Sequence, residues 1–592
     1  MTRRITRRRL MNGLAIGTAL GIMACQRREV PTAAPPAPAP AAPAAPPTQA
    51  PVVAAPVAAA PTAAAQAAPA ATSAPAKVPA PEAAKPAVAA AKPVAAAGTP
   101  KRGGSIIAAT QNDWVSMDPV YNSGPGTTNH MIFDPLFFLE VDAKGNWVPT
   151  PGLVEKWEFS DTAGVLQLRK GVKFHDDSDW NADVLKWNFE RWATDPKSRT
   201  RSALTGVDLK NPATVMDPYT LKVNLTAPSP ALVERLTNHT AYPISKAAFE
   251  KMGAEQFNRA PVGTGPFKLV EWKPSDRAVL KRNENYWMMG ADGKSLPYLD
   301  GITYRLMIED SVRVVELKSH TVDYTELVQG KDLPAMIADP ALQLLEADWC
   351  GNTYNVMFNS KAGPFSTNLK LRQAALYAID RPTLAKVLGQ GSGDVMKYML
   401  LKGSPGYDES LPSYSFDLDK AKSLMKESGV AAGVLVKFPI ISREVDKLQA
   451  EMLKQMWEQI GIRAEIETIE RAAWVQKIVT EKGNFDVATL RSGFSAGDPD
   501  LLFRTFQWSK ANFNVARIED KKMDDLIDRA SGTYDNAERA RLYKDALRYN
   551  HEMGYYDWLW MQKWNWVSAK KLKGVPPPMT IAWDFRGAWL DS

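Results

Sequence analysis

The sequence predicts an α/β fold for residues 101–592, and two stretches carry that reading. Between Lys447 and Gly461, the residues Leu448, Met452, Leu453, Met456 and Ile460 fall on one helical face, and Gly461 suits a left-handed C-terminal cap. Directly afterwards Ile462, Ala464 and Ile466 alternate with Arg463, Glu465 and Glu467, the period of a half-buried strand. Leu371, Ala375, Ala378 and Ile379 give a second amphipathic helix that ends near Asp380-Arg381. Helix, glycine and strand in succession is the grammar of an α/β layer. The sequence carries no internal repeat of about 20 to 50 residues, which argues against a solenoid or a propeller.

The chain of 592 residues is long enough for about three or four domains and for a core that needs no disulfide or metal. Its charge is unevenly placed. Residues 1–100 hold seven Arg and three Lys against Glu29 and Glu82, a net +8, whereas the whole chain is +7, so residues 101–592 carry −1. The folded part is therefore not basic, and nucleic acid is not an expected partner. Cys25 and Cys350 are the two cysteines, which rules out a disulfide framework, a zinc ribbon or a CxxC redox motif.

Residues 1–24 read as a signal peptide. Arg3, Arg4, Arg7, Arg8 and Arg9 precede the mostly apolar run Leu10 to Ala24, which is short against the roughly 20 residues that span a bilayer. Ile22-Met23-Ala24-Cys25 resembles the bacterial lipobox, which makes Cys25 the expected lipidated N-terminus and membrane anchor. Thr6-Arg7-Arg8-Arg9-Leu10-Met11 also resembles a twin-arginine export signal, with a general secretory n-region as the alternative. Residues 25–100 then form a tether: 18 Pro and 33 Ala occupy 51 of positions 31–100, with no Leu, Ile, Met or aromatic residue. Its prolines remove amide donors and break helix, the segment lacks burial capacity, and at about 3.1 Å per residue it reaches roughly 200 Å. A folded unit held outside the cytoplasmic membrane, or in a periplasm, is the expectation.

Gly103 to Ala108 is followed by Met117-Asp118-Pro119. Pro149 to Trp157 leads to Leu168 to Asp176 and then to Asn181 to Val184. Val262 to Phe267, Arg282 to Trp287, and Leu371 to Ala375 with Ala378 to Arg381 continue the series over nearly all of residues 101–592. In order and spacing these segments resemble the family 5 extracellular solute-binding proteins of ABC importers, the group of dipeptide, oligopeptide and nickel binders. The first two segments are similar to the family's first strand and its LDP triplet, and the next three to its PGLAEKW, LRKGVKFHDG and TADDV block.

The resemblance implies a class II periplasmic-binding-protein-like fold of α/β type, with two lobes joined by a hinge and an additional smaller domain. The implied bounds are 101–138 with 262–352 and 557–592 for domain I, 139–261 for domain II and 353–556 for domain III. It further implies a monomer without a cofactor. The expected role is capture of a small-molecule or peptide ligand between the lobes and delivery to ABC permease subunits in the membrane.

In the peptide-binding relatives, the segment after the strand Phe485 to Leu490 supplies an aspartate for the peptide's amino group. An arginine before the long helix receives the terminal carboxylate in dipeptide binders. Here the aspartate position holds Ser495 or Gly493, depending on the anchor chosen, and neither is an acid. Asp498 or Asp500 could serve after a loop shift. The arginine position falls near Ile440, with Arg443 three residues on. Arg491 is the leading candidate, because a guanidinium at a strand's end can hold a carboxylate bidentately; its alternative is an ion pair with Asp498 or Asp500. Asn122 and Tyr354 are further candidate contacts, by position alone.

The enzymatic inventory is thin. His130, His175, His239, His320 and His551 form no HExxH or other close ligand pair, so no metal site is expected. Gly389-Gln390-Gly391-Ser392-Gly393 lacks phosphate-loop spacing and reads as a flexible connection, and no GxSxG elbow occurs. Arg169, Lys170 and His175 read as surface and packing residues. Trp558, Trp560, Trp564 and Trp566 read as one late strand packing into a core. A peptide is the first ligand expectation, an oligosaccharide the second and a nickel complex the third. An extracellular glycoside hydrolase is the alternative from another class, since its two carboxylates need be close only in space.

Overall fold

The computed structural model describes residues 98–591 except 115, 122–128, 144, 346–349, 496, 512 and 577–583. Cys25, the leader, the tether and Asn122 therefore lie outside the described residues.

The predicted helix–glycine–strand unit is present. The helix Glu444–Glu458 is followed by Gly461 at φ 84° and by the strand Ile462–Ile469, whose Ile462 and Ala464 are buried while Arg463 and Glu465 are exposed. The strand lies parallel to Val434–Ile441, so the helix is the crossover of a βαβ unit. Its inner face keeps Met452, Leu453, Met456 and Ile460 of the expected one against the core and departs from it at Leu448. Gln449, Ala450, Leu453 and Trp457 are buried and Leu448 is 50% exposed. Trp457 decides this: it is the largest apolar side chain of the helix, and its indole N–H donates to the Ala375 carbonyl at 3.0 Å. Ala375 sits on the second predicted helix, Leu369–Tyr377; Asp380 then caps a further helix, Arg381–Gly389.

Two larger sheets organise the lobes. A seven-stranded sheet runs, in spatial order, Leu342–Leu345, Trp566–Ala569, Tyr324–Thr325, Ser105–Thr110, Gly301–Leu306, Arg277–Arg282 and Phe267–Lys273. Ser105–Thr110 is parallel to both of its neighbours, and the other pairs are antiparallel. A four-stranded antiparallel sheet runs Gly393–Val395, Tyr556–Lys563, Cys350–Phe358 and Val487–Ser495. The chain passes between these sheets at 345–350 and again at 563–566. Those passages are adjacent, because Gly351 pairs with Lys563.

A third, smaller sheet is a meander of Val154–Phe159, Ala163–Leu168, Thr220–Asn224 and Ala213–Asp217. The helix Ala182–Thr194 covers it and contributes Leu185, Phe189 and Trp192 to a separate apolar core. Asn181 caps that helix by accepting from the Val184 amide at 3.0 Å. This sheet is tied to the seven-stranded one through the Val262–Phe267 segment. A Cβ on Gly263 would come within 2.2 Å of the Ile132 carbonyl oxygen, so only glycine permits the approach. His175 Nε2 donates to the Gly265 carbonyl at 3.0 Å, and burial lowers its pKa to about 4, leaving it neutral. Arg169 donates to the Gly152 carbonyl and pairs with Glu155, the packing role expected of this segment.

The four late tryptophans are buried, but they do not share one core. A β-bulge opposite Tyr354 and Asn355 inserts Leu559 between Trp558 and Trp560, which reverses the facing of the strand. Trp558 packs into the core around Phe503 and Tyr543, and Trp560 into the one around Trp457. Trp564 and Trp566 belong to the core of the seven-stranded sheet. The glycine-rich connection 389–393 is packed: Ser392 is buried and its hydroxyl accepts from Asn565 Nδ2 at 2.8 Å.

A candidate ligand cleft of three arginines

Arg491 lies near the middle of the strand Val487–Ser495 and is directly opposite Tyr354, with Gly493 opposite Asn352. Arg491, Gly493 and Asn352 form one wall of a cleft of about 370 Å³. The second wall comes from Ile441 and Arg443 at the end of the strand Val434–Ile441, and from Arg471 and Val475 after the strand Ile462–Ile469. Phe506 and Phe513 supply an apolar floor. The parallel βαβ unit thus delivers Arg443 and Arg471 from the same ends of its two strands, the usual location of ligand crevices in α/β sheets.

The cleft is electrostatically unbalanced. Arg443 pairs with Asp446 at the first turn of the helix Glu444–Glu458. Asp446 is 2% exposed, and burial raises its pKa while Arg443 and then Arg491 oppose the rise. Arg491 and Arg471 are exposed and, among the described residues, neither forms an ion pair. No Asp, Glu, His or Cys is among the described residues lining the cleft. Two guanidinium groups without counter-charge, beside one already paired, suit a ligand that brings carboxylate or another planar anion. The lining offers no nucleophile–base pair.

Tyr354 lies behind this surface and is 1% exposed. Its ring stacks on Trp560 with centroids 4.2 Å apart and planes 1° from parallel. Burial raises the pKa of its hydroxyl, and the charge of Arg491 is the largest opposing influence. Tyr354 thus backs Arg491 rather than standing on the open face.

Asp498 and Asp500 are elsewhere. Asp498 caps the helix Pro499–Phe506 by accepting from the Asp500 amide at 2.8 Å, and its carboxylate is gripped by Arg539, with one contact at 2.6 Å. Asp500 accepts from Arg235 at 2.9 Å, Arg504 at 3.2 Å and Tyr543 at 3.3 Å. Both carboxylates are buried in internal ion pairs and make none with Arg491. The cleft therefore unites Arg491 and Arg443 with Tyr354 behind them, and excludes the two aspartates.

Sequence reasoning missed Asn352, Arg471, Phe506 and Phe513. Asn352 had a signal, since it sits two residues from Tyr354 on one strand and so shares its face. Arg471 had a weaker one: Glu470 caps a helix start directly after the alternating strand. Phe506 and Phe513 reach the cleft through tertiary packing that no local pattern announces. Among the described residues there is no His, Cys, Asp and Glu group able to hold a metal ion.

Comparison with known proteins agrees with this architecture. The family model described as "Bacterial extracellular solute-binding proteins, family 5 Middle" matches residues 148–514. The heme-binding protein A of Haemophilus influenzae is 29% identical over 432 residues, covering 68% of this chain and 77% of that protein. The glutathione-binding protein GsiB of Escherichia coli K12 is 29% identical over 457 residues, covering 74% and 86%. The structure of HbpA2 from Haemophilus parasuis superposes with a TM-score of 0.72 at 23% identity, over 83% of this chain and 100% of that one. These are α/β proteins of the two-lobed, class II periplasmic-binding type, which bind solutes for transport and are not enzymes. On the match to more than half of its length, this chain belongs to the family 5 bacterial extracellular solute-binding proteins.

Proposed function

We propose that the protein is a membrane-anchored receptor that captures a carboxylate-bearing solute, foremost a short peptide with a free C-terminus, and hands it to an ABC permease. The observation that carries this reading is the cleft in which Arg491 and Arg471, neither in an ion pair among the described residues, stand beside the Arg443–Asp446 pair. A peptide's terminal carboxylate supplies the missing charge, and a bidentate guanidinium–carboxylate pair fixes its orientation. The relatives named for glutathione and heme bind molecules that also carry carboxylates, so an anionic group is common to those ligands and to this cleft. Arg491 and Arg443 are assigned to the ligand, with Tyr354 as the support of Arg491; Asn122 remains a candidate contact from the first lobe. Asp498 and Asp500 are assigned to the protein's own ion pairs.

In this reading Cys25 carries lipid, residues 25–100 are the stalk, and export uses the twin-arginine or the general secretory route. The protein works as a monomer of three domains near the expected bounds 101–138/262–352/557–592, 139–261 and 353–556, with the whole strands Cys350–Phe358 and Tyr556–Lys563 counted to the third domain, since they pair in its sheet. The deciding experiment is a thermal-shift and calorimetric screen of di-, tri- and oligopeptides, their C-terminally amidated forms, glutathione, heme and oligosaccharides. A ligand at 100 times its dissociation constant stabilises the fold by about 2.7 kcal/mol. Stabilisation by free peptides and not by their amides supports the proposal; stabilisation by neutral oligosaccharides alone overturns it.

A further inference from the structure

Away from the arginine cleft, the two lobes meet through polar groups. The helix Leu232–Arg235 turns Leu232 and Val233, with the following Leu236, into the core of the small sheet, which leaves Glu234 and Arg235 directed at the other lobe. There they meet Asp498 and Asp500 at the start of the helix Pro499–Phe506, whose Phe503 and Phe506 point into a different core. Arg235 Nη1 donates to Asp500 Oδ2 at 2.9 Å, and Glu234 accepts from the main-chain amide of Asp498. Beside them the Tyr534 hydroxyl donates to the Ser160 carbonyl at 2.9 Å and accepts from the Ser229 amide at 3.1 Å.

Each half of this contact is held in shape by its own lobe. Arg235 is fixed by the carbonyls of Ala203 and Thr205, both at 3.1 Å, and by the Ser229 hydroxyl at 2.6 Å. Asp500 is fixed by Arg504, Ser531 and Tyr543. Neither side must reorganise to dock or to part. Trp147, on the hairpin of the small-sheet side, adds one apolar knob: it is 5% exposed and sits against Gly403, where a Cβ would come within 2.9 Å of its ring. Next to all of this runs an open groove of about 680 Å³ bordered by Trp157, Glu234, Tyr534 and Arg539, so the seam is not packed shut. Polar, incompletely filled seams between domains separate readily.

The geometry points to a clasp: Glu234, Arg235 and Trp147 on one lobe dock onto Asp498, Asp500, Tyr534 and Gly403 on the other, and hold the protein closed at the start of the helix Pro499–Phe506, whose other end lines the arginine cleft. Among the described residues the chain passes from the four-stranded to the seven-stranded sheet at 563–566, beside Gly351, which pairs with Lys563. Rotation about this joint would open or close the seam, so the seam's strength would set how much of the ligand-free protein is closed. Ligand affinity would follow, because a receptor already closed loses less on binding.

The test uses spin labels at Met216→Cys and Lys521→Cys, two exposed positions on either side of the seam, in the full chain carrying Cys25→Ser. Cys350 is buried and stays unlabelled. Pulsed dipolar distances are measured without ligand, so the outcome is independent of the solute assignment. The parent should populate the separation of the present structure. Arg235→Ala combined with Tyr534→Phe should raise the open-to-closed ratio about tenfold or more. Tyr534→Phe alone, which removes only one hydroxyl, should move the same ratio in the same direction, while near-UV circular dichroism confirms a folded chain. Unchanged distances in the folded single and double variants, or a parent already at the open distance, overturn the clasp.

Discussion

Arg491 and Tyr354 face one another across paired strands, Arg491 exposed and Tyr354 buried against Trp560. The pairing explains how a long, cationic side chain is held at the mouth of a cleft: the buried aromatic stack gives it a rigid backing, and the guanidinium forms no ion pair among the described residues. Arg491→Ala should weaken binding of a peptide with a free C-terminus by about tenfold to a hundredfold, the range for a hydrogen-bonded charge. The amidated peptide should lose little by comparison. Because Arg491 is exposed and unpaired, the melting temperature should stay near the parent's. Calorimetry on both peptides checks this; equal losses for the two would remove Arg491 from the carboxylate.

Arg443 differs, since it already has a partner. Removing it by Arg443→Ala leaves the Asp446 carboxylate 2% exposed and without its close cation. The expected cost is about 2 kcal/mol of folding stability, seen as a lower denaturant midpoint. Arg443→Ala/Asp446→Ala should recover part of it, because the stranded charge is gone. A double variant less stable than the single would show that the pair contributes in some other way.

Much of the scaffold was legible in the sequence because it is local. The glycine after the helix Glu444–Glu458, the alternation in Ile462–Ile469 and the cap at Asp380 each depend on a few neighbouring residues. The helix face was less legible at one end: burial of Trp457 against a distant helix centres the face so that Leu448 is left exposed while Met452 still packs against the core. The late tryptophans misled for a similar reason, as a single inserted residue, Leu559, sends Trp558 and Trp560 to different cores. At the site, Arg491 and Arg443 could be located by resemblance and strand position. The aspartates of Asp498-Pro499-Asp500 could not be separated from ligand contacts without knowing that Arg539 and Arg235, remote in sequence, fold onto them.

Those aspartates give a third expectation. Asp498→Ala strands the Arg539 guanidinium, which is 5% exposed as a residue, and removes a helix cap. Losses of about 3–5 kcal/mol follow from breaking a buried pair on one side. Intrinsic affinity at the arginine cleft, measured at a temperature where the variant is folded, should change only through the lobe equilibrium, by the same factor for free and amidated peptides. A loss confined to free-amine peptides, absent with N-acetylated ones, would return Asp498 to the ligand.

The clasp also carries a pH dependence. Glu234 has its pKa pushed up to about 8, first by burial and then by the charge of Asp498; the Asp498 amide, Arg539 and Arg235 act against the rise. An acid with a folded pKa above its ordinary 4.5 holds a proton in the folded state that the unfolded chain has released. Its contribution to stability is thus fully present below about 4.5 and is lost as pH rises through about 8. Deprotonation places two carboxylates side by side at the seam, so alkaline pH should both lower the melting temperature and raise the open population. Glu234→Gln keeps an acceptor for the Asp498 amide and cannot titrate, and should flatten both curves between about pH 4.5 and 8. Parallel pH profiles for the parent and Glu234→Gln would mean that some other group governs the seam.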